Sequence, residues 1–310
     1  MGLLLHTGSG RLVVLSARTL IGRSPVCQVR VEDPRASGEH ASIAWVGEGW
    51  EVHDLGSRNG TMLDGARLGT GERAPLGRDA RLGFGSSVET WVLADASAPG
   101  PAARNERTEE LVRSASALLA LPTADDPQAT VFGRADGTWF VEVGAVVRPV
   151  ADRERIELGG ASWILFLPRD LGAIPATAGG DGSTRALREL ELCFAPSRDE
   201  EHVELRVRQG DAQQGVSLPA RSSHYMLLLL ARARLRDARA DLPLDEQGWL
   251  YSSELADMLR YTPERLNVEI FRARNQFAKL GFAESEQLIE RRAATRQIRI
   301  GVARLQVTRP

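Results

Sequence analysis

The sequence predicts a multidomain protein with an N-terminal all-β sandwich, a small β-rich middle region and a C-terminal α+β domain. Short β-like runs separated by Gly, Asp, Ser and Asn fill residues 11–93, which is typical of a sandwich. Helix-period segments begin only after residue 223. A Gly-rich stretch at 171–184 predicts a flexible linker. The predicted sandwich spans residues 1–98, the middle region 106–170 and the C-terminal domain 185–310.

The N-terminal strands are predicted between turn signals. Asn59-Gly60 and Asp64-Gly65 are strong hairpin-turn dipeptides. The predicted strands are Arg11–Leu15, Gln28–Val31, Ala41–Val46, Trp50–His53 and Glu89–Leu93.

Four short motifs lie between these strands: Gly22-Arg23, Ser37-x-x-His40, Asp54-Leu55 and Ser57-Arg58-Asn59-Gly60-Thr61. Their side chains suit a phosphothreonine, which adds about −1.5 to −2 charges and three acceptor oxygens. The guanidinium of Arg23 can form two parallel charge-assisted hydrogen bonds. Ser37 offers a hydroxyl, and the amide of Asn59 can both donate and accept. Taken singly, Asn59-Gly60 would be an ordinary turn and Arg23 a solvated loop residue.

In this order and spacing, the four motifs resemble the forkhead-associated (FHA) domain over residues 1–98. The resemblance implies a β-sandwich whose loops bind phosphothreonine, so the expected partner is a phosphothreonine-containing protein, either a Ser/Thr kinase or its substrate. In the family, the histidine that His40 matches braces the binding loop, and we expect the same structural role here. Gly38 departs from the larger polar residue that the family often carries there. The phosphopeptide-binding residues that the resemblance implies are Arg23, Ser37 and Asn59 in the pocket, with Ser57 and Arg58 at its rim.

A weak internal repeat links the middle region to the sandwich. The segment Pro149–Gly159, followed by Trp163, aligns with Pro75–Gly85, followed by Trp91. The region 106–170 is therefore predicted to be a degenerate FHA-like copy, either packed on the first domain or forming a separate β module. It carries no counterpart of the phosphate-reading motifs, so we do not expect it to bind phosphate.

The C-terminal part begins with strand-like runs and continues with helical segments. Thr262 and Pro263 combine a favoured helix cap with a proline at the first helical position, and Gly281 is a helix stop. Ser252 is expected to cap a short helix. The predicted strands are Leu190–Phe194, Val203–Val207 and Gly215–Leu218. The predicted helices are Ser223–Arg239, Ser253–Arg260 and Pro263–Leu280, and the predicted hairpin joins Leu288–Arg292 to Gln297–Ile300.

A sheet, three helices and a terminal hairpin are the elements of a winged helix. Asn267–Arg274 resembles the recognition helix of OmpR-type response-regulator effector domains. Gly248–Leu255 resembles the segment that leads into their positioning helix. The resemblance covers residues 185–310 and implies binding to double-stranded DNA.

The last predicted helix has one stripe that is polar along its whole length and one apolar stripe, the predicted core stripe, which consists of Leu266, Ile270, Ala273, Phe277 and Leu280. Arg can pair with guanine, Gln with adenine, and Glu can accept from cytosine. The same pattern also suits a solvated face with ion pairs such as Arg265–Glu269. The arginines of the hairpin, with no acid in 291–310, favour contact with DNA phosphates. The predicted DNA-binding residues are Arg265, Glu269, Arg272, Gln276 and Lys279 on the helix, and Arg291, Arg292 and Arg296 on the hairpin.

Composition and motifs argue against several classes of protein. Lys279 is the single lysine, so no Gly-Lys pair exists and a Walker-A ATPase is excluded. No Gly-x-Ser-x-Gly motif, His/Cys metal cluster or kinase-type loop is present, so we expect no catalytic site, cofactor or metal. Two cysteines without metal spacing, Cys27 and Cys193, predict a reduced, cytoplasmic setting. No apolar run is long enough to predict a membrane span.

These features together predict a cytoplasmic, non-enzymatic transcriptional regulator that depends on phosphothreonine. It would bind phosphorylated protein through the FHA domain and DNA through the winged helix. The alternative is a phosphopeptide adaptor or scaffold in Ser/Thr kinase signalling whose C-terminal domain binds protein. Salt-dependent binding of duplex DNA separates the two hypotheses.

Overall fold

A computed structural model describes residues 1–86, 90–134, 136–168, 185–209 and 215–308. The predicted linker 171–184 lies outside the described residues. The chain divides into two compact units. Unit 1 comprises Met1–Ala115, Ala151–Ile156 and the segment from Trp163, and unit 2 comprises Ser116–Val150, Glu157–Ser162 and the C-terminal part.

Unit 1 contains the sandwich that the sequence predicts. Its strands are β1 (Leu3–His6), β2 (Leu12–Val14), β3 (Arg18–Gly22), β4 (Val29–Arg30), β5 (Ala41–Val46), β6 (Gly49–Asp54), β7 (Thr61–Leu63), β8 (Ala66–Arg67), β9 (Arg73–Leu76), β10 (Arg81–Phe84) and β11 (Thr90–Asp95). They pair in two sheets, in the orders β2-β1-β11-β10-β7-β8 and β4-β3-β5-β6-β9. The predicted strands are confirmed, with shifts of a few residues at their ends.

Alternating burial along the strands builds the core of the sandwich. On β6, Trp50, Val52 and Asp54 are buried, whereas Glu51 and His53 are partly exposed, as the two-residue period of a strand requires. The large side chains that fill this core include Leu4, Ile21, Ile43, Trp50, Leu82 and Trp91. Because the two sheets are held by this apolar core, their connecting loops are free to carry polar side chains.

A second set of strands follows. These are β12 (Ala102–Asn105), β13 (Leu111–Arg113), β14 (Leu118–Pro122), β15 (Pro127–Gly133), β16 (Trp139–Val143), β17 (Val146–Val150), β18 (Arg155–Leu158) and β19 (Ala161–Phe166). They pair in the orders β13-β12-β19-β18 and β14-β15-β16-β17. These orders repeat β2-β1-β11-β10 and β3-β5-β6-β9 of the first sandwich.

The turn before β18 also repeats the turn before β10. The backbone N–H of Asp79 donates to the carbonyl of Leu93 at 2.9 Å, and the N–H of Arg153 donates to the carbonyl of Leu165 at 2.9 Å. Asp79 and Arg153 share a φ of +66°. The internal repeat in the sequence is therefore matched by strand order and by local backbone geometry.

The predicted region 106–170 does not lie within a single unit. In unit 1, Ala102 and Phe166 pack against Met1, Leu3 and Val14, so β12 and the end of β19 extend the packing of the sandwich. The strands β14–β17 belong to unit 2. The sequence left open whether the region extends the first domain or forms a separate β module. In the structure, one part extends the first sandwich and the other belongs to the unit that contains the C-terminal helices.

Unit 2 also contains a further set of strands and helices. The strands are β20 (Arg185–Ala186), β21 (Leu190–Pro196), β22 (Val203–Gln209), β23 (Val216–Ser217), β24 (Leu250–Tyr251), β25 (Phe282–Ala283), β26 (Ile289–Arg292), β27 (Gln297–Ile300) and β28 (Arg304–Val307). The helices are α1 (Ser223–Arg239), α2 (Ser252–Leu259) and α3 (Pro263–Lys279), with 3-10 turns at Leu187–Glu189 and Ser285–Leu288. The strands pair in the orders β23-β22-β21-β28, β24-β27-β26 and β20-β25.

Two of the predicted helix ends follow local sequence chemistry, and a third does not. The hydroxyl of Thr262 accepts a hydrogen bond from the N–H of Arg265 at 3.2 Å, which confirms the predicted cap. Gly281 adopts a φ of +81° just after α3, as a helix stop requires. The prediction for Ser252 is wrong, because Ser252 is the first residue of α2 and Tyr251 precedes the helix without a side-chain cap. None of the described helices is long and apolar enough to cross a membrane.

Candidate functional site

Hydrogen bonds tie together the three loops that carry the predicted phosphate-binding residues. The carbonyl of Ser37, on the β4–β5 loop, accepts from the N–H of Arg23 at 3.0 Å. The hydroxyl oxygen of Ser37 accepts from the N–H of Arg58, on the β6–β7 loop, at 3.1 Å. The amide nitrogen of Asn59 donates to the carbonyl of Arg35 at 2.8 Å. The structure therefore brings Arg23, Ser37, Arg58 and Asn59 into one cluster.

His40 is a brace beneath this cluster. The side chain is fully buried, and its Nδ1 accepts from the N–H of Ser37 at 2.9 Å. The proton of the neutral ring therefore lies on Nε2, which donates to the carbonyl of Gly60 at 3.2 Å. Burial lowers the pKa of His40 more than the bond to Gly60 and the nearby carboxylate of Asp54 raise it. This neutral histidine joins two of the loops, in the structural role that was predicted for it.

Asp54 organises the β6–β7 loop from the end of β6. Its carboxylate accepts from the hydroxyls of Ser57 at 2.6 Å and Thr61 at 2.8 Å, and from the N–H groups of Gly56 and Ser57 at 3.0 Å. Burial raises the pKa of this buried carboxyl, but the four hydrogen bonds outweigh burial and hold the pKa below its ordinary value. The carboxylate is therefore charged and acts as the anchor of the loop.

The position of Ser57 differs from the predicted pocket rim. The side chain is buried, its hydroxyl donates to Asp54, and its oxygen accepts from the N–H of Gly60 at 3.0 Å. Both functions of the hydroxyl are thus used inside the loop. We therefore correct its role from peptide contact to loop support.

Arg23, Arg58 and Asn59 are exposed. The Nε of Arg23 donates to the carbonyl of Ala36 at 2.6 Å, which fixes the direction of the side chain. Its terminal nitrogens, and the whole guanidinium of Arg58, form no hydrogen bond or ion pair with the described residues. The loops therefore present two guanidinium groups, an amide and a hydroxyl to solvent, a set of groups suited to a doubly charged phosphate.

A close backbone approach at Gly22 sets the position of Arg23. A Cβ at Gly22 would lie 2.2 Å from the carbonyl oxygen of Gly38, whereas a Cβ at Gly38 would meet nothing within 4 Å. We expect Gly22→Ala to lower the free energy of unfolding by about 1–3 kcal/mol, because backbone must move, and to weaken phosphopeptide binding. Gly38→Ala is the matched control and should leave both unchanged. Urea titration measures the difference, and equal stability of the two variants would contradict the proposed constraint.

The structure places the predicted DNA-binding residues of α3 in two groups. Glu269 is fully buried and accepts from Arg265 at 2.7 Å and from Arg272 at 3.3 Å. Gln276 donates to the carbonyl of Pro219 at 3.0 Å, and its oxygen lies 3.0 Å from Nε2 of His224. Both side chains therefore bind partners within the protein, whereas the predicted contacts with DNA bases would require them to point to solvent. The outer group, with side chains that reach solvent, is Arg265, Arg272 and Lys279.

The hairpin arginines also differ from one another. Arg291 pairs with Glu142 at 2.9 Å and is largely buried. Arg292 stacks on Trp249 and pairs with Glu246 at 3.1 Å. Arg296 is exposed at the turn between β26 and β27, with a φ of +55°. The phosphate contacts predicted for Arg291 and Arg292 would therefore have to replace ion pairs that the chain already forms.

Sequence reasoning missed a second buried face of α3. Phe271 and Arg274 are 5% and 2% exposed, although neither lies on the predicted core stripe or on the predicted DNA stripe. Phe271 and Ala278 lie seven residues apart on one side of the helix, and both contact the same apolar cluster. That spacing was the available signal for a second packed face.

Comparisons with known proteins agree with the geometry of unit 1. The FHA domain family matches residues 19–85. FHA domain-containing protein FhaB of Mycobacterium tuberculosis is 41% identical over 76 residues, which are 24% of this chain and 49% of that protein. FhaB of Mycolicibacterium smegmatis is 38% identical over 73 residues, which are 24% of this chain and 47% of that protein. The chain thus spans about half the length of the curated relatives that it matches.

A solved structure of Mycobacterium tuberculosis EmbR in complex with a low-affinity phosphopeptide is also similar. The identity is 22%, the match covers 31% of this chain and 24% of that chain, and the TM-score is 0.28. The family match, the FhaB relatives and the sandwich with its loop motifs all concern the same N-terminal segment. Residues 19–85 of this chain are an FHA domain.

Proposed function

We propose that the FHA domain of this chain binds phosphothreonine in a partner protein. The observation that carries the proposal is the pair of exposed guanidinium groups of Arg23 and Arg58, two residues whose backbone N–H groups both donate to Ser37. Neither group has an intrachain acceptor for its terminal nitrogens among the described residues. A phosphate dianion supplies acceptors for these groups and for the amide of Asn59. The partner would be a Ser/Thr kinase or a substrate of one.

An oriented peptide library tests this function. Full-length protein should retain peptides with a fixed phosphothreonine and should not retain the same library with unmodified threonine. A library with phosphoserine shows whether the threonine methyl group contributes to recognition. Equal retention of modified and unmodified threonine would contradict phosphothreonine recognition.

We further propose that α2, α3 and the β26–β27 hairpin form a winged helix that binds double-stranded DNA, making the protein a phosphothreonine-dependent transcriptional regulator without catalytic activity. Support comes from the order of elements, in which a sheet precedes α1, α2 and α3 and a hairpin follows them. Arg265, Lys279 and Arg296 supply exposed cations on α3 and the hairpin, and Arg272 is partly exposed. Such cations bind phosphates in a salt-dependent manner.

Substitution of Arg296 tests the DNA contact. We expect Arg296→Ala to weaken binding of all duplexes to a similar extent and to flatten the log–log salt dependence by about 0.9 per lost phosphate contact. Arg236→Ala is the control, because Arg236 is an exposed arginine on α1 with its side chain 70% accessible. Fluorescence anisotropy of the full-length protein over a salt series measures both. An unchanged salt slope for Arg296→Ala would contradict the contact.

A second candidate function is a phosphopeptide adaptor that does not bind DNA. The ion pairs of Arg291 with Glu142 and of Arg292 with Glu246 favour it, because these arginines are already neutralised within the chain. Failure of the full-length protein to bind any duplex at low salt, together with intact phosphopeptide binding, would select this function.

A further inference from the structure

The side of α3 that faces away from its core stripe is covered by strands β14 and β15 of the same unit. Phe271 packs in an apolar cluster with Leu118, Ala120 and Phe132. The hydroxyl of Ser116, just before β14, donates to the side-chain oxygen of Asn275 at 3.2 Å. This side adjoins the stripe of Arg265, Arg272 and Lys279, which would face the major groove in a helix that reads DNA.

Carboxylates from the same strands neutralise arginines of α3 and the hairpin. Glu142, on β16, accepts a hydrogen bond from Arg274 at 2.9 Å and forms an ion pair with the Nε of Arg291 at 2.9 Å. Asp125, on the loop between β14 and β15, accepts from Arg272 at 2.9 Å. The cover therefore places negative groups against three arginines, of which Arg272 and Arg291 are predicted DNA contacts.

The buried carboxylate is charged. Burial raises the pKa of Glu142, but the charges of Arg274 and Arg291 and the hydrogen bonds from them outweigh burial and hold the pKa below its ordinary value. Glu142 thus offers these arginines what a DNA phosphate offers, an anionic oxygen acceptor.

The contact between the cover and α3 is partly polar. Four buried side chains form its apolar cluster, and a cavity of about 20 Å³ adjoins it, lined in part by Thr130, Glu142, Asn267 and Arg274. The Nε of Arg274 is buried and has no hydrogen-bond partner among the described residues. Burial of this donor without a partner destabilises the covered state. A ligand that satisfies the arginines equally well can therefore compete with the strands.

We propose that strands β14–β17 are a displaceable cover beside the DNA-reading stripe of α3 and against the hairpin, with Asp125 and Glu142 occupying Arg272 and Arg291, which DNA phosphates would otherwise bind. The proposal rests on the proposed DNA-binding function. In the covered state the strands occupy the space beside this stripe, so DNA that enters along α3 requires the strands to leave the helix.

Amide hydrogen exchange in the full-length protein tests displacement directly. Upon saturation with a duplex that the protein binds, the amides of β14 and β15 should exchange faster than in the free protein, because they lose their contact with α3. If these amides stay equally protected while the duplex is bound, the cover is permanent and the proposal is overturned, although the DNA-binding function stands.

Two substitutions test the carboxylates. Glu142→Gln keeps the side-chain size but removes the charge, and we expect it to bind duplex DNA about tenfold more tightly than the wild type. For Asp125→Asn the control is Asp126→Asn, because Asp126 lies in the same loop and its substitution changes the charge by the same amount. Asp126 has no arginine partner among the described residues. Asp125→Asn should bind DNA about twofold more tightly than Asp126→Asn.

The outcomes separate the cover from the DNA function. Equal, measurable affinities for the wild type, Glu142→Gln and Asp125→Asn would overturn the cover alone. No binding by the wild type or by any variant would overturn the cover together with the DNA function. If circular dichroism shows that Glu142→Gln is unfolded, the comparison of Asp125→Asn with Asp126→Asn and the hydrogen-exchange measurement test the cover instead.

Discussion

Replacing Arg23 with alanine is expected to abolish binding of phosphothreonine peptides. The side chain is directed by the bond from its Nε to the carbonyl of Ala36 at 2.6 Å, so its two terminal nitrogens can form parallel bonds to phosphate oxygens. Loss of such a charged contact costs about 2–5 kcal/mol. Arg23→Lys should recover little, because an ammonium retains the charge but cannot reproduce the planar fork or the bond to Ala36.

Isothermal titration calorimetry with a library-selected peptide measures this loss. Arg78→Ala is the control, because Arg78 is exposed and lies at the opposite end of β10 from the binding loops. Arg78 precedes β10, whereas the residue that contacts the β6–β7 loop, Gly85, follows it. The control should bind like the wild type. Wild-type affinity in Arg23→Ala would show that the phosphate is bound elsewhere.

Replacing Asp54 with alanine is expected to destabilise the FHA domain and to abolish peptide binding as well. Its carboxylate accepts four hydrogen bonds, from two hydroxyls and two N–H groups, and the variant would leave buried donors without partners. We expect a loss of about 2–4 kcal/mol in the free energy of unfolding. Glu51→Ala is the control, since Glu51 lies on the same strand but forms only a partly exposed ion pair with Arg73.

The pH dependence of the Asp54 effect has a defined sign. Hydrogen bonds hold the folded-state pKa of Asp54 below its ordinary value of 3.8. The charged form therefore stabilises the folded state fully above that ordinary pKa, and this stabilisation is lost as the pH falls through the lowered value. The stability difference between wild type and Asp54→Ala should shrink in acid when measured by urea titration. A difference that grows as the pH falls would contradict the assigned role.

The sequence alone predicts features that depend on local chemistry. The cap at Thr262 and the stop at Gly281 are read from neighbouring residues, and both are present. Arg23 and Ser37 are also found together, as the resemblance of their motifs to the FHA domain implies. Ser57 shows the limit of this reasoning, because a hydroxyl in a motif does not reveal which partner it will bind.

Long-range packing is the part that the sequence could not predict. Phe271 is covered by Leu118 and Phe132, which lie about 150 and 140 residues earlier in the chain. Neither the helical period of α3 nor the strand pattern of the middle region specifies that pairing. For the same reason, Glu269 looked like an exposed polar residue, although Ser222 and two arginines enclose it.

The central claim is phosphothreonine recognition by the cluster of Arg23, Ser37, Arg58 and Asn59. Nuclear magnetic resonance of the isotope-labelled full-length protein tests it most directly, through amide shifts on titration with a phosphothreonine peptide and its unmodified twin. We expect the phosphopeptide to shift the amides of these four residues and the unmodified peptide to shift none of them. Equal shifts with both peptides, or phosphopeptide shifts confined to other parts of the chain, would contradict the claim.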